Sequence, residues 1–267
     1  MSHALLRRID RYLDAVPRSA ATPQPIGGLS LFVPANPAGW RYYARPQPEG
    51  PAPTADDVIR TRKRRRELGL PEEFEWVDEL SPTMSAAVGG AGLGVELRPL
   101  MVLDDPAALP TARGDVRIAG QDDDLAVLSA VQEVGFGHAG TAAGEAGRAA
   151  LEAAAARQKP AALEFLSARI RDGLTVYAWA AADGMPVATG AHQPLDGVTE
   201  IVGVATLPAY RRRGLGAVVT AALVADALDS GVETVFLSAA DDDVARMYAS
   251  VGFRRVGTVG AAVPTPD

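Results

Sequence analysis

A glycine-rich turn between a predicted strand and a predicted helix constrains this chain more than any other stretch of its 267 residues. Residues 200–206 are mostly apolar and β-branched, a pattern typical of a buried strand. The run RRRGLG at residues 211–216 then opens a helix rich in Ala, Val and Leu that we expect to end near Asp229. Gly231 has the position of a left-handed helix cap, and a second strand is predicted at residues 232–238. The glycines therefore lie between a strand and a helix, where such a turn is most informative.

The turn has the chemistry of an anion-binding site. The first N–H groups of a helix lack intrahelical partners, and the helix dipole adds partial positive charge there. Gly214 and Gly216 carry no Cβ, so a diphosphate could approach the backbone closely. Arg211, Arg212 and Arg213 add charge and fork-shaped donors. The alternative is an ordinary turn with solvated arginines, and these six residues alone do not decide between the two.

The pattern R-x-x-G-x-G at residues 211–216 resembles the Q/R-x-x-G-x-G/A signature of the GCN5-related N-acetyltransferase (GNAT) family. A strand ends shortly before the turn, a second strand follows the helix, and the run YASVGF at residues 248–253 is similar to the family's Y-x-x-x-G-F. The resemblance covers residues 116–263 well and the first half of the chain poorly. It implies an α/β fold with a mixed sheet, the GNAT acyl-CoA N-acyltransferase fold.

The resemblance also implies acetyl-CoA as a co-substrate. In this family the turn cradles the pyrophosphate, and the strand before it separates from its neighbour to admit the pantetheine arm. The N–H of Val204 matches the position that polarises the thioester carbonyl. Asp241 stands where the family often has an asparagine that binds the pantetheine; alternatively, it simply caps the next helix. The implied cofactor-binding residues are Val204, Ala205, Thr206, Arg211, Arg212, Arg213, Gly214, Leu215, Gly216, Ala217 and Asp241.

Two residues match family positions that transfer protons. Glu200 matches the general base of the histone-acetylating branch, since its spacing to Gly214 and Gly216 is the same. A carboxylate in a half-buried cleft can deprotonate an amine. The alternatives are a solvated glutamate and, as a competing base, His192, although a lone histidine is more often structural. The hydroxyl of Tyr248 matches the group that protonates the departing CoA thiolate. The alternative for Tyr248 is a core tyrosine packed beside Phe253.

The amine acceptor is predicted to lie against a Gly- and Ala-rich stretch at residues 136–145. This stretch falls where the family places the loop that shapes the acceptor pocket. Phe136 and His138 are therefore candidate acceptor-site residues.

The length of the chain predicts two domains, because it exceeds that of one ordinary acetyltransferase domain. A strand at 74–77, a helix at 82–91, Gly92 and a strand at 95–103 repeat the order of elements predicted at 232–259. The first half lacks the R-x-x-G-x-G turn and the tyrosine. We therefore expect a tandem arrangement, with a degenerate GNAT-like domain at 1–110 that has lost cofactor binding, a linker at 104–114, and a GNAT domain at 115–267.

Local signals assign the other elements of the first half. An amphipathic helix is predicted at 2–16, followed by a Pro-rich linker at 17–25. Strands at 28–33 and 40–44 are predicted to form a hairpin. Thr54 is expected to cap a helix that reaches about residue 68.

Composition excludes several classes of function. A formal net charge of −7 argues against a general nucleic-acid or anionic-membrane binder. The basic run at 60–66 could contact nucleic acid, but a solvated helix face is the favoured interpretation. The chain has no cysteine and its three histidines are scattered, so no disulfide, thiolate nucleophile or metal site is expected. With no signal peptide and no long apolar run, we expect a cytoplasmic protein, and the scarcity of lysine suggests a GC-rich bacterial genome.

The sequence thus favours an enzyme that transfers acetyl from acetyl-CoA to a primary amine by direct attack in a ternary complex. The alternative is a non-catalytic sensor or scaffold that binds acyl-CoA at the turn but does not catalyse acetyl transfer. Nucleic-acid binding through residues 60–66 is a third and more distant option. The identity of the acceptor, a small molecule or a peptide amine, and the oligomeric state stay open, with a homodimer as one alternative.

Overall fold

The computed structural model describes residues 3–110, 115–120 and 122–264, which contain eight α-helices and eleven β-strands. In the first part of the chain these elements are α1 (His3–Ala15), β1 (Ala21–Ile26), β2 (Leu29–Pro34), β3 (Arg45–Pro46), α2 (Ala55–Glu67), β4 (Phe74–Val77), α3 (Met84–Gly90) and β5 (Gly94–Leu103). The second part contains β6 (Val116–Ile118), α4 (Leu125–Phe136), α5 (Arg148–Ala155), α6 (Pro160–Arg171), β7 (Val176–Ala182), β8 (Met185–His192), β9 (Val198–Thr206), α7 (Leu215–Asp229), β10 (Thr234–Ser238), α8 (Asp242–Ala249) and β11 (Phe253–Val263).

The chain divides into two compact units. The first unit comprises the described residues of Met1–Met101, Ser238–Asp242 and Arg255–Asp267, and the second comprises those of Val102–Leu237 and Asp243–Arg254. Most of the last strand, β11, therefore belongs to the first unit. The domain boundaries at 110 and 115 stay a prediction. Ser2 of the first predicted helix and residues 111–114 of the predicted linker lie outside the described residues.

The first unit is built on two groups of strands. Strands β1, β2 and β3 form an antiparallel sheet, and β11 lies between β4 and β5 in the hydrogen-bonded order. Strand β11 runs antiparallel to β4, with Val259 opposite Val77 and Ala262 opposite Phe74. The side chains of Phe74 and Trp76 are fully buried in the core beneath α2 and α3. The element order β4, α3 and β5 matches that predicted for the internal repeat.

The predicted hairpin of the first unit was placed too late in the chain. The hairpin is formed by β1 and β2, whereas residues 17–25 were predicted to be a linker and residues 40–44 a strand. Pro23 and Pro25 caused the error, because proline cannot donate to a sheet ladder. Strand β1 lies at the edge of its sheet. Pro23 and Pro25 are two positions apart, so their backbone nitrogens face the same side of the strand. Both prolines are therefore tolerated there.

Four arginines of the basic run form ion pairs with carboxylates of the first unit. Helix α2 begins as predicted with a capping box, in which Asp57 N–H donates to Thr54 Oγ1. Arg65 is completely buried, and its guanidinium donates to the carbonyl oxygens of Tyr42, at 3.0 Å, and Pro71. Much of the run is therefore engaged by contacts within its own unit. The other pairs are Arg60 with Asp57, Arg62 and Arg66 with Glu72, and Arg64 with Glu67.

The second unit contains a mixed sheet in the order β10-β9-β8-β7-β6, with β9 parallel to β10 and the other pairs antiparallel. Asp183 and Gly184 connect β7 to β8 with φ values of 51° and 72°, which confirms the predicted two-residue turn. Helix α7 packs near Gly190 on one face of the sheet, while α4 and α5 pack against Val187 on the opposite face. The fold class, mixed α/β, is as predicted. Within the described residues, no helix combines the length and apolar character that a bilayer span requires.

Candidate active site

Strand β9 leaves its neighbour β10 partway along its length. The two strands are paired from Val198 to Glu200, and β9 then continues to Thr206. On its other side, β9 pairs Val202 with Ala191 and Ala205 with Thr189, so β9 contains one extra residue at Gly203, whose φ is 63°. Such a bulge redirects the strand backbone and sharpens its twist. The backbone at the end of β9 therefore points in a different direction from that of residues 198–200, which pair with β10.

A glutamine on α4 holds the bulge. Gln132 Nε2 donates to the carbonyl oxygen of Gly203 at 3.0 Å, and the hydroxyl of Tyr177 donates to Gln132 Oε1 at 3.2 Å. Burial raises the pKa of Tyr177 to about 12, so this donor keeps its proton at neutral pH. A Cβ on residue 203 would lie 2.5 Å from Gln132 Nε2, so the contact requires glycine. No motif marks Gln132, and sequence reasoning missed it.

The first turn of α7 presents backbone amides beside the end of β9. Gly214 is the N-terminal cap residue, with φ 77° and no side-chain cap among the described residues. The first intrahelical bond runs from the N–H of Val218 to the carbonyl of Gly214 at 3.1 Å, so the three preceding amides lie ahead of the helical ladder. A Cβ on Gly216 would lie 3.7 Å from Val204 Cγ1 and 3.9 Å from Thr206 Oγ1. The turn and the strand end predicted to share a site are thus in contact.

The three arginines of the turn are used differently. Arg212 and Arg213 are exposed, and the Arg213 guanidinium lies 4.9 Å from the ring centroid of Tyr210 and donates to Ala209 O at 3.3 Å. The Arg211 guanidinium instead donates to four carbonyl oxygens of its own chain, the shortest being Gly135 O at 2.7 Å. Two arginines of this turn are therefore open to solvent and one is engaged by the chain.

The backbone of Arg212 has a φ of 64°, in the left-handed region that favours glycine. We expect the free energy of unfolding of Arg212→Gly to be at least about 1 kcal/mol above that of Arg213→Gly. Only the first substitution relieves this strain, both remove one positive charge, and the second also removes the contacts of Arg213 with Tyr210 and Ala209. Urea denaturation of the two variants measures the difference. Equal stabilities would show that the conformation of Arg212 carries no strain in solution.

Tyr248 on α8 is buried beside the turn. Its hydroxyl is hydrogen-bonded to the Thr220 side chain, and Thr220 Oγ1 in turn donates to Gly216 O at 2.8 Å. Burial raises the pKa of Tyr248 to about 12, so the phenol is protonated at neutral pH. Its ring also packs edge-on against Phe253 at 5.9 Å, which is the contact expected of a core tyrosine.

The two candidate bases have different surroundings. Glu200 is half-buried at the last position that β9 shares with β10. His192 is completely buried, with Nε2 2.9 Å from Asp226 Oδ2 and Nδ1 3.0 Å from Thr199 Oγ1. Burial lowers the pKa of His192, and the Asp226 carboxylate partly opposes that shift. With both ring nitrogens engaged in the core, His192 has the contacts of a structural residue.

The remaining candidates are Asp241, Phe136 and His138. Asp241 belongs to the first unit and directly precedes α8. Phe136, at the end of α4, is 64% exposed, and His138 is exposed with Nδ1 2.8 Å from Val134 O. The loop between α4 and α5, residues 137–147, lies against the short helix Pro208–Tyr210 that precedes the turn.

Comparison with solved structures identifies the class of fold. The chain is similar to a GCN5-related N-acetyltransferase from Kribbella flavida, with a TM-score of 0.67 and 22% identity over 99% of this chain and 98% of that one. It is also similar to a putative GNAT-family acetyltransferase from Novosphingobium aromaticivorans (TM-score 0.56, 19% identity, coverage 98% and 97%). A tandem GNAT protein from the clavulanic acid biosynthesis pathway matches with a TM-score of 0.55 and 18% identity over 90% of this chain and 79% of that one. The GNAT fold predicted from the sequence is confirmed.

The family follows from the sequence of the second half. Residues 146–253 match the acetyltransferase (GNAT) family. No curated protein matches the chain. Family and fold together support a transferase.

Proposed function

We propose that this protein is an N-acetyltransferase that transfers the acetyl group of acetyl-CoA to a primary amine in a ternary complex. The observation that carries the proposal is the contact between the uncapped first turn of α7 and the end of β9, beyond the point where β9 leaves β10. A diphosphate needs clustered amide donors, and a pantetheine arm needs an unpaired strand edge. This chain places the two side by side.

The turn fits the diphosphate of acetyl-CoA. Apart from the chain neighbours of Gly214, no atom of the described residues lies within 4 Å of the position that a Cβ on Gly214 would take, so the space beside this cap residue is open. The exposed side chains of Arg212 and Arg213 add positive charge beside that space. The pantetheine arm is proposed to follow the backbone of residues 204–206. Asp241 is retained as a proposed contact of that arm.

Two groups of this chain are proposed to transfer protons, and a third to stabilise the negative charge that forms during the reaction. Acetyl-CoA supplies an activated thioester. Glu200 accepts a proton from the substrate ammonium, directly or through water, so that the amine can attack. The N–H of Val204, in the bulged part of β9, donates to the oxygen that gains negative charge. Tyr248, protonated at neutral pH, gives its proton to the departing thiolate.

Acetyl-CoA is expected to bind and to stabilise the protein, by about 2.7 kcal/mol at a concentration of about 100 times Kd. Titration calorimetry and thermal unfolding measure both effects. S-acetyl-N-acetylcysteamine, which has the thioester without the diphosphate, is the control and is expected to bind far more weakly. No stabilisation by acetyl-CoA, or equal binding of the two thioesters, would contradict the proposal.

A second candidate function is an acyl-CoA sensor without catalysis. The favouring observation is that Tyr248 is only 7% exposed and has the contacts of a core residue, with Thr220 and Phe253. Thiol release from acetyl-CoA across a panel of primary amines separates the two functions. Binding of acetyl-CoA without thiol release from any amine would favour the sensor.

A further inference from the structure

We propose that Arg211 is a positioning residue, which ties the loop at residues 137–147 to the turn instead of contacting the diphosphate. The inference rests on the proposed function and on the sequence-based prediction that the amine acceptor lies against residues 136–145, which overlap this loop. Its consequence is that the turn sets the conformation of the acceptor loop.

The contacts of Arg211 span three segments of the second unit. Its Nη2 donates to Gly135 O at 2.7 Å and to His138 O at 2.8 Å. Its Nη1 lies 3.3 Å from Ala142 O, and its Nε lies 3.4 Å from Thr206 O. One guanidinium thus joins the end of α4, the 137–147 loop and the end of β9.

These contacts leave little of the guanidinium for a ligand. The group has five N–H donors, and the four carbonyl contacts occupy four of them. The bidentate grip that makes arginine effective on a phosphate needs two neighbouring donors, so it would require breaking at least one existing contact. Gly135 O belongs to the last turn of α4, where carbonyls lack intrahelical partners and the helix dipole favours a cation. Leaving this position would therefore also uncap α4.

The loop is fitted closely against the segment that leads to the turn. Gly144 N–H donates to Pro208 O at 3.0 Å, and Ala209 N–H donates to Ala146 O at 3.1 Å. A Cβ on Gly144 would come within 3.1 Å of Pro208 Cβ, which is a tight approach. The packing depends on small residues rather than on buried apolar side chains. Arg211 adds two hydrogen bonds from the turn to this loop, to His138 O and Ala142 O.

Hydrogen exchange on the full-length chain, with and without acetyl-CoA, tests the proposal in Arg211→Lys and Arg211→Gln. Lysine keeps the charge but carries its three donors on one nitrogen, so it cannot reach carbonyls spread as widely as those of Gly135, Ala142 and Thr206. Glutamine keeps a planar pair of donors without the charge. We expect amides of residues 137–147 to exchange about 10-fold faster in the lysine variant, since a charge-assisted hydrogen bond contributes about 1.5–3 kcal/mol, and to be partly rescued by glutamine. The acetyl-CoA dissociation constant should stay within about twofold of the unmodified protein in both variants, because the diphosphate donors are untouched.

The opposite pattern would overturn the inference. If Arg211 binds the diphosphate, affinity for acetyl-CoA falls in the glutamine variant and recovers in the lysine variant, while loop exchange is unchanged. Unchanged loop exchange in both variants would also refute the tether. Hydrogen exchange without ligand tests the tether even if the unmodified protein does not bind acetyl-CoA. A failure of the tether can therefore be told apart from a failure of the proposed function.

Discussion

Replacing Tyr248 with phenylalanine is expected to lower thiol release from acetyl-CoA by about 100-fold, at the lower end of the range for general acid catalysis, since a thiolate is already a fair leaving group. Acetyl-CoA affinity should stay within about twofold, because the diphosphate donors are backbone amides. The variant should lose only about 1 kcal/mol of stability, corresponding to the hydrogen bond with Thr220. Since the pKa of Tyr248 is raised to about 12, ionisation of the phenol should not limit the rate below pH 10.

Tyr12→Phe is the matched control for Tyr248→Phe. Tyr12 is also buried, at 5% exposure, but it lies on α1 in the first unit. Its substitution should leave thiol release unchanged. If Tyr248→Phe also releases thiol at the rate of the unmodified protein, Tyr248 is a core residue and has no part in the reaction.

Gly216→Asp is expected to reduce acetyl-CoA affinity by a factor of about 100 to 1,000. A carboxylate about 4 Å from a phosphate charge costs on the order of 4 kcal/mol at an effective dielectric constant of about 20. The folded protein should be at least as stable as before, because an acid in the first helical turn interacts favourably with the dipole and glycine disfavours helix. Calorimetric titration and urea denaturation measure the two effects, which have opposite directions.

Gly216→Asn separates charge from volume in this experiment. Asparagine has the shape of aspartate without its charge, and the added Cβ meets Val204 and Thr206 only at ordinary contact distances of 3.7 and 3.9 Å. The affinity of Gly216→Asn for acetyl-CoA should fall less than that of Gly216→Asp, because its side chain adds volume without charge. If both variants bind as tightly as the unmodified protein, the diphosphate is not held at this turn.

Local sequence signals predicted those elements whose determinants lie within a few residues. The Asp183-Gly184 pair specified the turn between β7 and β8, where both φ values are positive. Gly231, with φ 81°, ends α7 where the left-handed cap was predicted, and the helix stops at Asp229. Thr54 caps α2 as expected.

Tertiary context explains what local signals missed. Strand β1 contains two prolines and is acceptable only because it lies at a sheet edge, a position that no local pattern reveals. The pairing of β11 with β4 joins segments from opposite ends of the chain, so the placement of most of β11 in the first unit was not predictable from either segment.

In the candidate site, too, some features were suggested by local sequence and others depend on the tertiary fold. The turn and Tyr248 were recognisable because their residue types and spacing recur in a known family. The carbonyl partners of Arg211 were not, since Gly135 lies 76 residues away and a carbonyl carries no side-chain signature. Gln132 was missed for the same reason, because its partner is the backbone of Gly203. The left-handed conformation of Arg212 was also hidden, because arginine does not ordinarily mark a positive φ.

A crystal structure of the acetyl-CoA complex measures the central claim most directly. We predict diphosphate oxygens within about 2.7–3.2 Å of backbone nitrogens in the first turn of α7, with the thioester alongside residue 204 of β9. A nucleotide bound elsewhere on the protein, or a first turn of α7 capped by side chains of the chain itself in the complex, would contradict the account.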